Sequence, residues 1–330
     1  MSAAAPMPNG GMADGTRGST SGAAPGSAAV GSPGLTDAAA SVDASSAPIV
    51  NTSGSDADTY DAQIAYDVTL KMDTFTVDPG AEVYKCQDFA NPFGGQYADI
   101  KQYHNVMNAG SHHFTLFNTP GASDGPLVDC PEGGLMAGTY TFGSQSRDVT
   151  YLLPPAIGVA VPGNMGFTMN AHYLNAGTTS LHGNVALTMS VADPGTVTQH
   201  AGAMQTVLLS IAVPPGGQPV TVGGSCTLMQ DMNVMIVVSH MHHQASHFIA
   251  TTGGTTLLET DLWSDPPAAG FWPPLPLKSG DDFTWSCIYA NDTLTTLTYG
   301  PSAQTNVMCN AVITFYPVLD VNNPLITCQM

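Results

Sequence analysis

Five histidines and one methionine stand out in a chain that is otherwise poor in polar chemistry. Lys, Arg, Asp and Glu together make up 9% of its 330 residues, yet it contains ten histidines. The candidate metal ligands are His112, His113, His172, His240, His242 and Met308. Neutral imidazole nitrogens hold both Cu(II) and Cu(I), and a soft thioether sulfur favours Cu(I). The donor set therefore predicts copper in preference to most other metals.

The spacing of the paired histidines constrains the strands that carry them. The HMH motif at 240–242 ends an apolar run at 235–238, whose β-branched residues predict a buried strand. Residues two apart on a strand point to the same face, so both rings of this motif can reach one ion. The HH pair at 112–113 differs, because neighbours on a regular strand point to opposite faces. If both bind one metal, the strand must be bulged or must end there.

Simpler interpretations exist for the remaining polar residues. Met308 taken alone is typical of a core methionine, since this side chain commonly fills cores. His243 would point away from the HxH pair, so we interpret it as a residue beside the site or at the surface. Asn170 could form a hydrogen bond near the metal held by His172, but a plain polar surface residue is the simpler interpretation. The remaining histidines are predicted to be structural or solvated, namely His104, His182, His200 and His247.

The elements that must position these motifs are strands. From Ala65 onward the chain alternates short apolar runs with Gly, Pro, Asn and Asp, a spacing that predicts all-β sandwiches without helices. A turn-rich break at 192–195 separates a predicted first domain, 63–195, from a second, 196–330. Residues 1–62 are rich in Ala, Ser, Gly and Pro. They cannot bury enough apolar surface to offset their ordering entropy, so we expect a disordered tether.

Charge and cysteine content restrict the partners and the compartment. A formal charge of −19 with only six Lys and Arg argues against binding to nucleic acid or anionic membranes. No long apolar run predicts a transmembrane helix. Six cysteines without a CxxC motif favour disulfides in an exported protein, whether periplasmic, cell-surface or secreted. The first residues lack the basic and apolar regions of a signal peptide, and we expect that an export signal or lipid anchor site preceded them. The six cysteines allow fifteen pairings.

Four segments in this order resemble the copper type II, ascorbate-dependent monooxygenases, and the resemblance runs from about Phe75 to Cys328. The segments are SHHFTLF at 111–117, AHY at 171–173, HMHH at 240–243 and NVMCN at 306–310. The resemblance implies two jelly-roll-like domains that each hold one copper and face a solvent-filled gap. It implies one copper on His112, His113 and His172, and another on His240, His242 and Met308. It also implies disulfides Cys86–Cys130, Cys226–Cys328 and Cys287–Cys309.

The roles of the two coppers also follow from this resemblance. The copper held by His240, His242 and Met308 would bind O2 beside the substrate and attack one of its C–H bonds. The other copper would store and deliver an electron, and ascorbate or another one-electron donor would reload both. Family members that act on peptides bind a carboxylate with an Arg and a Tyr, whose positions are Val238 and Val312 here. With Asn310 and Thr314 these form the predicted substrate pocket, which suits a neutral or mildly apolar substrate.

Three functions remain open at this point. The first is a copper monooxygenase that hydroxylates a C–H bond of a small organic substrate, and the presence of all six ligand positions favours it. The second is a non-catalytic copper-binding or copper-handling protein on the same fold, because one fold hosts many functions. The third is a single-metal hydrolase, or another activity that uses only part of the histidine set.

Overall fold

Alternation of buried and partly exposed side chains builds most strands of this protein. In Ser111–Pro120, Phe114 and Leu116 are fully buried, whereas Thr115 and Phe117 on the opposite face are only partly buried. The computed structural model describes residues 63–131 and 138–330. These residues form 24 strands and no helix, so the predicted all-β class is confirmed. The predicted tether, 1–62, lies outside the described residues.

The strands follow one another with short connections. The first twelve are β1 (Ile64–Lys71), β2 (Phe75–Val77), β3 (Glu82–Phe89), β4 (Ala98–Met107), β5 (Ser111–Pro120), β6 (Val128–Asp129), β7 (Thr139–Ser144), β8 (Asp148–Leu152), β9 (Ile157–Val161), β10 (Met165–Leu174), β11 (Leu181–Gly183) and β12 (Val185–Ala192). The others are β13 (Gln199–His200), β14 (Gly202–Val207), β15 (Ala212–Val213), β16 (Pro219–Thr227), β17 (Met232–Met241), β18 (Ala245–Thr252), β19 (Thr255–Thr260), β20 (Ala269–Leu277), β21 (Asp282–Ala290), β22 (Leu297–Thr298), β23 (Cys309–Tyr316) and β24 (Leu325–Gln329).

Two sheets enclose the core of the first half. One has the order β1-β12-β4-β9-β13, with β8 also paired to β4, and the other has the order β6-β3-β10-β5-β7. The short strands β2 and β11 pair separately. Side chains from both larger sheets, among them Ile100, Phe114, Phe167 and Leu187, share one apolar cluster. Strand β10 is central in its sheet and pairs antiparallel with β3 and β5.

The second half is also built from two larger sheets. Their orders are β20-β17-β23-β14-β24 and β16-β21-β18-β19, and β15 pairs with β22. Their shared core contains Phe248, Trp285 and Phe315, all at most 1% exposed. The described residues form one compact unit, and the predicted domain boundary at 195/196 stays a prediction.

Strand β17 contributes side chains to both cores. Val234 and Val237 belong to the core of the second half, whereas Met235 and Ile236 pack into that of the first. The pairing of β17 with β23 shifts register between Val234 and Ile236, and such a bulge lets the consecutive residues Met235 and Ile236 point to the same side of the strand. Strand β7 also contacts β14 and β24. The two halves are therefore joined by buried apolar contact.

Three disulfides connect Cys86 with Cys130, Cys226 with Cys328, and Cys287 with Cys309. This is the pairing that the family resemblance implies. The last bridge joins β21 to the first residue of β23, directly after Met308. In the described part of the chain, no helix could cross a membrane.

Candidate metal centre

Two of the three predicted ligands of the first set, His113 and His172, lie side by side on neighbouring strands of one sheet. His172 on β10 pairs with Tyr84 on β3 and with His113 on β5, so the three side chains are cross-strand neighbours. The next residue of β10, Tyr173, pairs with Ser111, which leaves His112 as the extra residue of a bulge. The bulge that two adjacent ligands require is therefore present, at the start of β5.

The rings of this set converge. Their centroids are 5.2 Å apart for His112 and His113, 5.0 Å for His112 and His172, and 4.9 Å for His113 and His172. Tyr84 stacks on His172 with a centroid distance of 3.8 Å and an interplanar angle of 15°.

The second predicted set lies at the end of β17. His240 is in the strand and His242 follows its last residue, and their ring centroids are 5.3 Å apart. In the register of β17 and β23, His240 pairs with Asn310 and Met241 with Cys309. Continuing this register by one residue places Met308 opposite His242. The Tyr289 hydroxyl donates a hydrogen bond to the Met308 carbonyl, which fixes the backbone there.

The two predicted sets lie side by side. The His240 ring centroid is 5.1 Å from those of both His112 and His113, and the centroids of His112 and His242 are 5.7 Å apart. Two groups have ring nitrogens that all lie within 4.8 Å of one another, and His112 belongs to both: His112, His113 and His172, and His112, His240 and His242. The histidines of both sets therefore form one cluster, in which His112, His172 and His242 are buried and His113 and His240 partly buried. The cause is the packing of β17 against the core of the first half.

The unpartnered nitrogens of this cluster test whether a metal fits. Four buried ring nitrogens lack a hydrogen-bond partner among the described residues: His112 Nε2, His113 Nδ1, His172 Nδ1 and His242 Nε2. A buried polar atom without a partner costs free energy, and a metal ion would satisfy several at once. Imidazole nitrogens suit copper as well as zinc, and a thioether ligand from Met308, which directly precedes the strand partner of Met241, would favour copper. The residues present therefore fit copper.

Burial keeps these imidazoles neutral. It lowers the pKa of His112, His113 and His240 well below the usual value, and the neighbouring histidines lower it further. Burial also lowers the pKa of His242 to about 4, against a hydrogen bond with the Asn306 carbonyl that raises it. A neutral ring keeps a lone pair for a metal, so the environment favours ligation over protonation.

Three ring nitrogens are oriented by hydrogen bonds from outside the cluster. His172 Nε2 lies 2.7 Å from a Glu82 carboxylate oxygen, and His242 Nδ1 lies 3.0 Å from the Asn306 carbonyl oxygen. Gln145 Nε2 lies 3.4 Å from His112 Nδ1. Sequence reasoning missed Glu82 and Gln145. Alternation places Glu82 on the face of Tyr84, but no local pattern shows that this face meets His172, and Gln145 carried no signal at all.

The other predicted residues are distributed as follows. His243 is exposed, as expected, and its Nδ1 lies 2.8 Å from the Ala303 carbonyl oxygen. Three of the histidines predicted to be structural or solvated lie beside carboxylates, and His182 is exposed; the pairs are His104–Asp148, His200–Asp99 and His247–Asp261. Asn170 is only 2% exposed, so its interpretation as a surface residue is wrong. It lies on the central strand β10, which is covered on both faces.

A cavity lies beside the cluster, between the two halves. Three of the four predicted pocket residues, Val238, Val312 and Thr314, line it. Val238 and Val312 are cross-strand partners, and Val238 precedes His240 by two residues on the same face. Asn310 is not part of this lining. Its amide nitrogen can instead donate to the carbonyl oxygens of Thr206 and Cys309, at 3.3 and 3.0 Å.

The opposite wall of this cavity comes from the first half and was not predicted. It consists mainly of aromatic and aliphatic side chains: Tyr103, Tyr140, Phe142, Tyr151, Leu153 and Val159. The Tyr103 hydroxyl is buried and has no hydrogen-bond partner among the described residues. Burial raises the pKa of Tyr103, so the phenol keeps its proton. No Lys or Arg is among the lining residues.

Residues 199–329 match the family model of the copper type II ascorbate-dependent monooxygenase, C-terminal domain. The resemblance seen in the sequence is confirmed over this part of the chain, which contains His240, His242 and Met308. The match begins four residues after the predicted domain boundary. No curated protein sequence matches the chain.

Similar solved structures share little sequence with this chain. The major capsid protein P2 from bacteriophage PM2 covers 78% of this chain and 100% of its own, at 9% identity and a TM-score of 0.33. The glycosylasparaginase PNGase F from Flavobacterium meningosepticum covers 80% of this chain and 98% of its own, at 9% identity and a TM-score of 0.29. Scores this low carry no argument about function.

Proposed function

We propose that this chain is a copper-dependent monooxygenase that hydroxylates a C–H bond of a small organic substrate. The co-substrates would be O2 and ascorbate or another one-electron donor. The observation that carries the proposal is the buried histidine cluster with its unpartnered nitrogens, in a chain whose residues 199–329 match this family. Copper, when bound, supplies one-electron redox chemistry and reduces O2.

The protein's own residues would hold and shield the metals. We assign one copper to His112, His113 and His172, and the other to His240, His242 and Met308. The neutral, buried rings keep their nitrogens available, and the apolar cores on either side exclude water from the cluster. Three disulfides support export to an oxidising compartment.

The cavity beside His240 is the proposed substrate site. Its aliphatic floor and aromatic wall favour an apolar substrate, and the Tyr103 hydroxyl can donate to one neutral acceptor on it. A substrate carboxylate would have no cationic partner in this lining, so peptide amidation is not expected. The family match over residues 199–329 favours the enzyme over the copper-handling alternative.

Copper stoichiometry measured together with O2 uptake tests this proposal. We expect two copper ions per chain and O2 consumption that depends on ascorbate. The matched control is the double variant His240→Ala, His242→Ala, which should retain one copper and lose ascorbate-dependent O2 uptake. One metal per chain, or zinc retained in excess copper, would contradict the proposed function.

A further inference from the structure

The segment 301–308, which ends in Met308, is held from the first half of the molecule. Ser302 Oγ donates to Glu82 Oε2 at 2.6 Å, and the Ala303 amide nitrogen donates to Glu82 Oε1 at 2.6 Å. The Tyr84 hydroxyl donates to the Pro301 carbonyl at 2.6 Å. Glu82 and Ser302 are 220 residues apart in the chain, so these bonds depend on the packing of the two halves.

The same segment is held from the second half by three consecutive residues. His242 Nδ1 lies 3.0 Å from the Asn306 carbonyl oxygen, and His243 Nδ1 lies 2.8 Å from that of Ala303. Gln244 Nε2 donates to the Gln304 carbonyl at 2.9 Å. Any shift of the segment would therefore disturb the end of β17, where the second ligand set lies.

Glu82 also contacts the first ligand set. Its Oε1 lies 2.7 Å from His172 Nε2, and the His172 side chain is fully buried. If His172 Nε2 donates to the carboxylate, Nδ1 carries the lone pair, and Nδ1 is the buried nitrogen without a partner. Burial by itself would raise the pKa of the Glu82 carboxyl. Its hydrogen bonds with His172, Ser302 and Ala303 lower it instead, to about 2.

We propose that Glu82 is a positioning residue that links the two copper sites, because one carboxylate orients His172 and anchors the segment that carries Met308. The inference rests on the proposed function, in which His172 and Met308 bind different coppers. Carboxylates that accept a hydrogen bond from a ligating histidine fix its ring and tautomer. Here the same carboxylate also binds the segment 301–308. A displacement of the side chain of Glu82 would therefore move both the His172 ring and the segment that carries Met308.

The test is copper binding and spectroscopy on the full chain. In Glu82→Gln, we expect the copper affinity of the three-histidine site to fall about 10- to 100-fold, as when other such hydrogen-bond partners are removed. The Cu(II) electron paramagnetic resonance signal of that site should change as well. The affinity of the second site for Cu(I) should also fall, because the amide offers one acceptor oxygen in place of two and no negative charge, which weakens the anchor of the segment.

Ser302→Ala separates the two roles of Glu82. It removes the bond to Oε2, together with the 3.2 Å bonds that Ser302 Oγ accepts from the Gln304 and Thr305 amides. It leaves the contact of Oε1 with His172 intact. We expect the first site to bind as in the wild type and the second to bind Cu(I) several-fold more weakly. The matched control is Asp99→Asn, since Asp99 contacts His200 at 3.0 Å outside the cluster, and it should leave both sites unchanged.

The outcomes distinguish this inference from the proposed function. A wild-type chain that binds no copper overturns both. Two coppers in the wild type, with unchanged affinities and spectra in Glu82→Gln, overturn only the role of Glu82. If Glu82→Gln does not fold, Glu82→Asp decides, because its carboxylate is one methylene shorter and cannot reach both His172 and the segment. Unchanged affinities at both sites reject the link, and weaker binding at both supports it.

Discussion

Met308 is the single residue on which the choice of copper depends most, because five histidines alone would also suit zinc. The register of β17 and β23, continued by one residue, would place it opposite His242, and the Tyr289 hydroxyl holds its backbone. The backbone of Met308 is therefore held by the fold, and a change of its side chain tests whether the sulfur atom binds copper.

Met308→Ile should keep the fold and lose the thioether. The two side chains are both apolar and similar in volume, and such exchanges usually cost less than about 1.5 kcal/mol of stability. We expect weaker Cu(I) binding at one site and loss of ascorbate-dependent O2 uptake, with the three-histidine site unchanged. Copper titration and an oxygen electrode measure both quantities. Wild-type behaviour in both would make Met308 a core residue only.

Tyr103 tests the proposed substrate site. Tyr103→Phe removes a buried hydroxyl without a partner, so stability should be equal to or higher than that of the wild type. Binding of acetophenone, which offers a carbonyl acceptor, should weaken up to about tenfold, the value of one hydrogen bond. Binding of ethylbenzene should not change. Tyr97→Phe, at an exposed hydroxyl bonded to Asp99, is the matched control. Equal effects on the two probes would exclude this role for Tyr103.

At the scale of elements, bulges in β5 and β17 interrupt the regular alternation of side chains between the two faces of a strand. The bulge at His112 brings adjacent rings into one cluster, and the bulge in β17 lets Met235 and Ile236 reach the other core. Strand β4 contains a different exception, since Lys101 is fully buried and its ammonium group bonds the carbonyls of Pro154 and Ile157.

Lys101 predicts a pH dependence of stability. Burial lowers the pKa of Lys101 to about 8 from its usual value of 10.5, so between these values the unfolded chain binds more protons than the folded one. Stability should therefore rise with pH across this window, by at most about 3 kcal/mol. Lys101→Met removes the titrating group. Denaturant unfolding at several pH values should show the rise in the wild type and not in the variant. Parallel curves would contradict the assignment.

At the scale of the whole molecule, the packing of the two halves decides what kind of centre the histidines form. Apolar contacts of β17 and β7, together with the bonds of Glu82 and Tyr84, bring both ligand sets into one cluster. His112 belongs to both groups of converging nitrogens, whereas His172 and His242 each belong to one.

This overlap predicts unequal effects of single substitutions. His112→Ala should weaken copper binding at both sites, because its ring adjoins His113 and His172 on one side and His240 on the other. His172→Ala should weaken only the first site, and His242→Ala only the second. Titration with copper under reducing conditions separates the two affinities. Loss of a single site in His112→Ala would show that the two sets bind independently.

The sequence by itself determined the features that depend on local pattern and residue type. Alternation and turn residues predict the all-β fold, and adjacent ligands on one strand require the bulge at His112. The six candidate ligands and the disulfide pairing came from motifs that resemble a known family. The structure confirms the fold and the bulge because both depend on neighbours along one strand, and it confirms the disulfides that the family motifs imply. The ligand roles stay a prediction.

Only the tertiary structure decided how the two halves meet. The contact of Glu82 with both His172 and Ser302, the aromatic wall of the cavity and the burial of Asn170 all involve residues distant in the chain. Periodicity predicts which face of a strand a side chain occupies, but not which surface that face meets. That choice is made by the free energy of burying apolar area between sheets, a property of the whole packed molecule.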